Sequence, residues 1–355
     1  MEVRIVSVFM KRAVPYRIQI DELRAALEQV LSHYYEVTRR IKSFRRRRSV
    51  YSSSYPIENI EVELDRGQRV RLVLKDLSPA SLLLTAQQVR PDFLYEPWRE
   101  IETYKKILDP QRLGTPICYG AINVPELERY WLFLERVNGP VLWQMGRMES
   151  WEQAARWLAS LHNEFDTANR PQNKTAMAHL LRYDDHFFSV WLSRAEEFLR
   201  HKYAADSTDS LRRFRRLADH YDRVIKRLLD LPTTFVHGEF YPSNVIMRRT
   251  KKGRRICPID WELAAIAPGL IDLAALTSGD WTEDKKKRMA AAYRDALEPS
   301  QGGRHSLADL TEAVDHCQLH LCVQMLGWAS DWSPPEEHAQ NWLRHALRLA
   351  ERLGM

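Results

Sequence analysis

The tripeptide Asn138–Gly139–Pro140 separates two parts of the chain that carry different sequence patterns. Upstream, short runs rich in apolar residues predict β-strands, whereas downstream the apolar residues recur mostly at helical spacing. Because asparagine, glycine and proline in succession interrupt regular structure, we expect a hinge at this point. A chain of 355 residues is long enough for two packed lobes, which we place at residues 1–137 and 138–355.

The upstream part predicts a small lobe with a β-sheet and two helices. The segment 20–35 has apolar residues at helical spacing, with Asp21 placed to cap its N-terminus. Asp65–Arg66–Gly67 fits a tight hairpin turn between the second and third strands. The expected strands are Ile41–Tyr51, Ile57–Leu64, Val70–Lys75 and the runs at 115–123 and 129–137, and the second helix is Glu96–Leu108.

A β-like stretch from Thr234 to about Trp261 interrupts a series of helices in the downstream part. A basic turn at Lys251–Arg255 divides this stretch, which therefore predicts one β-hairpin. The combined pattern predicts an α+β, bilobal architecture with a β-rich N-terminal lobe and a mostly helical C-terminal lobe. The expected helices are Trp151–Phe165, Asp184–Tyr203, Ser207–Leu231, Asp284–Leu297, Leu307–Trp328 and Pro335–Leu353.

Composition disfavours several classes of protein. No run approaches the roughly 20 apolar residues that a membrane-spanning helix needs, so we expect no membrane partner. Basic residues interrupt the N-terminal segment, which we read as part of the fold and not as a signal peptide. Four scattered cysteines without a CxxC pair predict a reducing, cytoplasmic location. A net charge of +6, spread over 53 basic and 47 acidic residues, suits an anionic ligand and does not by itself indicate nucleic acid.

Two sequence motifs, HGEFYPSN and IDWE, carry the residues that predict chemistry. Four residues separate Glu239 from Asn244, and protein kinases have the same separation between the catalytic-loop acid and its metal-binding amide. Such a loop lets a carboxylate face an acceptor hydroxyl while a nearby amide oxygen holds Mg²⁺. Asp260, after the strand-like ICPI, supplies a second hard oxygen ligand. We therefore predict Glu239 as the catalytic carboxylate, and Asn244 and Asp260 as ligands of Mg²⁺.

These motifs resemble the HGDxxxxN and IDxE signatures of the aminoglycoside phosphotransferase and choline kinase-like family. The resemblance runs from about Ile41 to Leu276 and implies a protein-kinase-like fold. It further implies transfer of the γ-phosphate of ATP to a hydroxyl of a small polar molecule, with ATP and Mg²⁺ as cofactors. The acceptor classes that it implies are aminoglycosides, amino sugars, sugars and amino alcohols.

The same resemblance assigns further residues to the nucleotide site. It implies that Lys75, in the third strand, binds phosphate and that Glu100, on the following helix, pairs with Lys75. The run LERVNGP resembles the family's hinge, so the backbone groups of Glu135 and Val137 are expected to face adenine. Asp272, in LIDLAAL, matches a family aspartate for which we expect a structural role.

Two departures from the family pattern leave an alternative open. Glu239 stands where the family has aspartate, and its extra methylene displaces the carboxylate by about an ångström unless the loop adjusts. The loop expected to cover the phosphates, Tyr51–Ser54, contains no glycine, so Ser52, Ser53 and Ser54 would contact phosphate through hydroxyls and backbone amides. The alternative is a catalytically weak or inactive nucleotide-binding regulator with the same fold.

The basic run Phe44–Arg48 has two interpretations. On a strand, alternate arginines point to opposite faces, which is typical of a solvated sheet surface. A nucleic-acid-binding protein would use such a run for phosphate contacts, but the chain carries no recognised nucleic-acid motif.

His316 and His320 are four residues apart on an expected helix, a spacing that can bind a transition metal. We favour a lining of the acceptor pocket for these two histidines.

Overall fold

The N-terminal lobe is built on a five-stranded antiparallel sheet. The computed structural model describes residues 18–52, 54–111, 113–165, 176–202, 209–297, 306–328 and 341–355. The sheet has the strand order β1-β2-β3-β5-β4. Its strands are β1 (Ile41–Arg48), β2 (Ile57–Leu64), β3 (Arg69–Asp76), β4 (Cys118–Val124) and β5 (Arg129–Glu135), and helix α1 (Ile20–Tyr34) packs against one face.

The alternation of side chains gives the two faces of this sheet different tasks. On β3, Val70, Leu72 and Leu74 are buried in the core beneath α1. Lys75, the next residue, therefore lies on the opposite face. At the β2–β3 turn, Gly67 has a φ of 77° and its N–H donates to the Leu64 carbonyl at 2.9 Å, which confirms the predicted hairpin.

The predicted capping role of Asp21 is wrong. The N-cap of α1 is Gln19, and its side chain makes no capping hydrogen bond. The helix begins at Ile20, so Asp21 lies inside the first turn. In that position its negative charge interacts favourably with the positive end of the helix dipole, but its side chain is not the N-cap.

The arginine run is confirmed as an alternating strand at the sheet edge. Arg45 and Arg47 are exposed, whereas Arg46 is largely covered. The Arg46 guanidinium binds both carboxylate oxygens of Glu58, at 2.6 and 2.7 Å, and donates to the Ile18 carbonyl at 2.7 Å. Arg46 thus fastens β1 to β2 and to the chain before α1.

A long connection joins β3 to the helical segment that precedes β4. It contains α2 (Leu84–Val89) and leads into α3 (Arg99–Thr103), a π-helical turn at Tyr104–Leu108, and the short α4 (Asp109–Gln111). The expected helix start at Glu96 is wrong by three residues. A residue before proline is biased toward extended backbone, and Glu96 precedes Pro97, so the helix begins only after Trp98.

The C-terminal lobe is mostly helical, around a large apolar core. Helix α11 is buried on nearly all sides, as its predominantly apolar sequence requires. The elements are α5 (Met148–Glu164), β6 (Leu181–Arg182), α6 (Asp185–Lys202), α7 (Asp209–Asp219), α8 (Tyr221–Leu229), β7 (Thr233–Val236), β8 (Val245–Thr250), β9 (Gly253–Pro258), β10 (Ala265–Pro268), α9 (Leu270–Leu276), α10 (Glu283–Arg294), α11 (Leu307–Trp328) and α12 (Trp342–Arg352).

Two details of this lobe differ from the prediction, and a third is untested. The hairpin β8–β9 is confirmed, but β7 and β10 also join β6 in a three-stranded sheet that the sequence did not indicate. The expected helix Ser207–Leu231 is two helices that meet at His220, and both keep their apolar residues toward one core, so the periodicity hides the break. The expected start of the last helix at Pro335 lies outside the described residues, and α12 is seen from Trp342.

The predicted hinge runs beside strand β8. The Met247 N–H donates to the Pro140 carbonyl at 2.8 Å, and the Arg249 N–H donates to the Asn138 carbonyl at 3.1 Å. A Cβ atom on Gly139 would lie 2.2 Å from the Met247 carbonyl oxygen, so only glycine permits this approach. Among the described helices, none is long and apolar enough to cross a bilayer.

Candidate active site

Lys75 and Glu100 form a buried ion pair, with Nζ and Oε2 separated by 2.5 Å. Strand β3 supplies the lysine and helix α3 the glutamate, and their side chains are only 8% and 1% exposed. Burial disfavours the ammonium, but the carboxylates of Asp260 and Glu100 outweigh it and raise the pKa of Lys75. Lys75 therefore stays protonated and can hold a second anionic group.

That second group is Asp260, whose Oδ1 lies 2.7 Å from Lys75 Nζ. Asp260 follows β9 and has a φ of 69°, a left-handed conformation that is uncommon for a residue with a side chain. Burial raises the pKa of Asp260, but the Lys75 charge dominates and lowers it. One ammonium thus bridges a helix of the N-terminal lobe and the IDWE motif of the C-terminal lobe.

The start of the β8–β9 hairpin places Asn244 beside the chain that carries Asp260. Val245 pairs with Pro258, and the Ile259 N–H donates to the Asn244 carbonyl at 2.9 Å. The Asn244 side-chain amide donates through Nδ2 to the Glu239 carbonyl at 3.1 Å. This bond engages the nitrogen end of the amide, so its oxygen is the end available to a cation.

A carboxylate and an amide oxygen are a donor set that suits Mg²⁺. In the part of the chain that the structure describes, no three His, Cys, Asp or Glu side chains gather as a metal cage. Mg²⁺ is commonly held by one or two protein oxygens together with water and substrate phosphates, and it does not need such a cage. Asn244 and Asp260 therefore fit a cation that arrives with a nucleotide.

The loop between β7 and β8 is fixed by His237 and Asp272. The Asp272 carboxylate accepts the N–H groups of His237 and Gly238, at 2.7 and 2.9 Å. His237 Nε2 donates to the Ile259 carbonyl at 2.9 Å, while Nδ1 accepts the Glu239 N–H at 3.2 Å. Burial lowers the pKa of His237, which keeps the ring neutral and able to make both bonds. Both residues thus organise the loop, and for Asp272 this agrees with the structural role expected from the sequence.

Glycine is required beside Glu239. Gly238 has a φ of 83°, and a Cβ atom there would lie 2.3 Å from the Leu263 carbonyl oxygen. The backbone of the loop therefore passes directly against the segment that follows Asp260. This contact fixes the backbone of the residue before Glu239.

Glu239 is half-buried among other carboxylates. Burial, followed by the charges of Glu262 and Asp260, raises the pKa of Glu239 to about 8, while Arg90 and Lys75 act in the opposite direction. An excess of negative charge in a partly dry site favours an additional cation.

The serine-rich loop between β1 and β2 reaches the IDWE motif through one residue. Ser54 Oγ donates to Glu262 Oε1 at 3.0 Å. The Ser52 hydroxyl is used within the loop, since it donates to the Ser49 carbonyl at 3.3 Å and accepts the Ile57 N–H at 3.1 Å. Ser53 lies outside the described residues.

At the hinge, the side chain of Glu135 is anchored from two sides. Its Oε2 accepts the Ile117 N–H at 3.1 Å and the Arg248 guanidinium at 2.8 Å, so β5 is tied to β4 and to β8. The Glu135 N–H donates to the Ile117 carbonyl at 2.8 Å. Within the described residues, the Val137 N–H makes no backbone hydrogen bond, which leaves it available to a ligand.

Sequence reasoning missed three charged residues at this site. Arg90 Nη1 lies 3.3 Å from Glu262 Oε2, and Arg99 donates to the Glu262 carbonyl at 2.9 Å. Glu262 stands in the IDWE motif, so its position could have been found from the motif. Arg90 and Arg99 lie between Lys75 and Glu100 in a stretch without any motif, and only the folded chain brings them to Glu262.

A lysine held by a helix glutamate, beside a hairpin that carries an aspartate and an asparagine, is the arrangement of the protein-kinase-like phosphotransferases. The chain belongs to the phosphotransferase enzyme family: residues 58–310 match the model of that family, designated APH. Family and fold identify it as a small-molecule phosphotransferase, a kinase in the broad sense.

Solved structures with the same fold are distant in sequence. An ethanolamine kinase of Plasmodium vivax aligns with a TM-score of 0.56 and 10% identity, over 98% of this chain and 92% of that chain. The GDP complex of a variant aminoglycoside 2'-phosphotransferase-IIIa aligns with a TM-score of 0.54 and 16% identity, over 94% and 97%. A choline/ethanolamine kinase family protein of Mesorhizobium loti gives 0.50 and 15%, over 94% and 96%. No curated protein matches the chain by sequence.

Proposed function

We propose that the protein transfers the γ-phosphate of ATP to a hydroxyl group of a small polar molecule. The observation that carries this proposal is the position of Lys75 Nζ, at 2.5 Å from Glu100 and 2.7 Å from Asp260. A buried lysine with only a structural role needs one carboxylate partner, whereas Lys75 has two. A lysine that joins a helix of one lobe to the metal motif of the other suits the positioning of nucleotide phosphates.

Each residue of the site then has a separate task. Lys75 orients the nucleotide phosphates and Glu100 holds Lys75. Asn244 and Asp260 hold Mg²⁺, which neutralises charge on the phosphates when it is bound. Glu239 faces the acceptor hydroxyl, orients it and accepts its proton.

The nucleotide base is expected between the lobes. The carbonyl of Glu135 and the free N–H of Val137 would bind adenine, and Ser52, Ser53 and Ser54 would cover the phosphates. We place the boundary between a nucleotide-binding lobe, 1–137, and an acceptor-binding lobe, 138–355, beside these groups. Similar structures contain GDP or ADP, so the base is a purine in each of them.

The acceptor class is proposed as an aminoglycoside, amino sugar, sugar or amino alcohol. The similar proteins are named for aminoglycosides, ethanolamine and choline. All four cysteines are unpaired and buried, which fits the reducing cytoplasm where ATP is abundant. The alternative of an inactive nucleotide-binding regulator gains no support, because the described site has the lysine, glutamate, aspartate and asparagine together.

ATP consumption in the presence of Mg²⁺, measured against a panel of these four acceptor classes, tests the proposal. We expect turnover that depends on one acceptor class and falls by about a thousandfold or more in Asp260→Asn, because the phosphate charge is no longer offset. Asp209→Asn, at an exposed position of α7, is the matched control and should retain full turnover. Equal turnover in both variants would refute the assigned site.

A further inference from the structure

The connection between β3 and α3, residues 77–98, lies against the C-terminal lobe. Phe93 packs edge-on against Phe187 and Trp191 of α6, with ring centroids 5.9 and 6.1 Å apart. Arg99, at the end of the connection, donates to the Glu262 carbonyl at 2.9 Å. A segment that leaves the N-terminal sheet at Lys75 thus passes over the IDWE motif before it returns to Glu100.

This connection carries Arg90 into the site. The Arg90 side chain is only 5% exposed, and its guanidinium lies over the Tyr55 ring, 5.9 Å from the centroid. Nη2 donates to the Leu94 carbonyl at 2.9 Å, and Nη1 is 3.3 Å from Glu262 Oε2. Its buried Nε atom has no hydrogen-bond partner among the described residues. A buried guanidinium with an unused donor indicates a missing acceptor.

The surroundings of Arg90 indicate what that acceptor is. Glu262 binds Arg90 through one oxygen and Ser54, of the predicted phosphate-covering loop, through the other. Glu262 is also two residues after Asp260, the predicted Mg²⁺ ligand. Arg90 therefore lies where the serine loop meets the metal motif. Within the proposed function, this is the end of the nucleotide that carries the terminal phosphate.

Lys75, which orients the nucleotide phosphates in the proposed function, shares its ammonium among several anions, and Arg99 donates to the backbone carbonyls of Leu94 and Glu262. Lys75 contacts two carboxylates, at 2.5 and 2.7 Å. The loop Tyr51–Ser54 contains no glycine that would let successive backbone amides approach a phosphate closely. A guanidinium, by contrast, presents a planar set of donors that matches two oxygens of one phosphate.

We propose that Arg90 binds the γ-phosphate of the nucleotide, exchanging its single contact with Glu262 for contacts to phosphate oxygens. This inference rests on the proposed function and adds a residue from outside the shared motifs. In the competing account, Arg90 only fastens the connection to Glu262 and touches no nucleotide. The two explanations predict different ratios of triphosphate affinity to diphosphate affinity. Only a residue that binds the γ-phosphate affects the triphosphate without affecting the diphosphate.

Calorimetric titration with Mg²⁺ and either β,γ-imido-ATP or ADP measures that difference. In wild type, the triphosphate analogue is expected to bind more tightly than ADP. Arg90→Gln should weaken the analogue about tenfold or more, the usual scale for a lost charge-assisted hydrogen bond, and leave ADP within about twofold. Arg99→Gln is the matched control, because it removes a neighbouring buried guanidinium that also contacts Glu262, at the first residue of α3. In this control the ratio of the two affinities should stay unchanged.

Each other outcome overturns the inference. If Arg90→Gln weakens both nucleotides equally, or neither, Arg90 does not bind the γ-phosphate, while the proposed function stands. If wild type binds neither nucleotide, the proposed function fails and the inference fails with it. Should Arg90→Gln not fold, as judged by its melting transition, Arg90→Lys replaces it. That variant keeps the positive charge but loses the planar guanidinium, so the ratio of triphosphate affinity to ADP affinity should fall by less than in Arg90→Gln. An unchanged ratio would refute the inference.

Discussion

The loop 237–244 and the connection 77–98 both deliver charged residues to one site, but by different means. In the loop, Glu239 and Asn244 are placed by short-range bonds, such as those between His237 Nδ1 and the Glu239 N–H and between Asn244 and the Glu239 carbonyl. The connection places Arg90 through contacts with the other lobe, chiefly Glu262 and the rings of α6. Residues positioned by local backbone geometry occur at a fixed spacing in the sequence and can be recognised there. Residues positioned by long-range packing have no such spacing.

Lys75 links the two regions, and its removal should have the largest effect. Lys75→Met is expected to abolish turnover and to lower the free energy of unfolding by about 3–5 kcal/mol, because Glu100 is left buried without its partner. The double variant Lys75→Met, Glu100→Leu removes both charges and should regain most of that stability without activity. Urea unfolding of both variants checks this, and a double variant no more stable than the single one would contradict a true buried pair.

The loop should be sensitive to a single methyl group. Gly238→Ala combines a φ of 83° with a Cβ atom 2.3 Å from the Leu263 carbonyl oxygen, so a loss of about 2–4 kcal/mol in unfolding free energy is expected. Gly67→Ala is the control: its φ of 77° is similar, but nothing lies within 4 Å of the added carbon. The control should lose only about 1–2 kcal/mol. Equal losses would mean that the close approach at Gly238 does not constrain the loop.

These contrasts explain what the sequence could predict. The third-strand lysine, its helix glutamate and the two motif ligands follow from family spacing, and the structure brings Lys75, Glu100 and Asp260 into contact. The β2 strand and α11 begin and end at the predicted residues. The alternating pattern of β2 and the long, predominantly apolar run of α11 indicate them in the sequence. Arg90 could not be predicted, since its neighbours in space, Tyr55 and Glu262, are distant in the chain. The β6–β10–β7 sheet was missed for the same reason.

A substitution in the connection 77–98 should change hydrogen exchange mainly within that connection, whereas a substitution in the loop 237–244 should lower the stability of the whole protein. Phe93→Ala removes the ring that packs on Phe187 and Trp191, and a loss of only about 1–2 kcal/mol is expected because Phe93 is partly buried. Hydrogen exchange should accelerate mainly at the amides of 84–98. Leu127→Ala, at an exposed position of the N-terminal lobe, is the control and should leave exchange in that segment unchanged. Acceleration spread evenly over the C-terminal lobe would show that the connection is not a separate unit.

Calorimetric titration of ATP, with and without Mg²⁺, tests most directly whether this interlobe site binds a metal–nucleotide complex. We expect Mg²⁺ to strengthen ATP binding to wild type, and we expect Asp260→Asn to lose this strengthening while its melting transition remains cooperative. Asp209→Asn should behave as wild type. Failure of wild type to bind ATP, or an undiminished effect of Mg²⁺ in Asp260→Asn, would contradict the assignment of Asp260 and with it the phosphotransfer site.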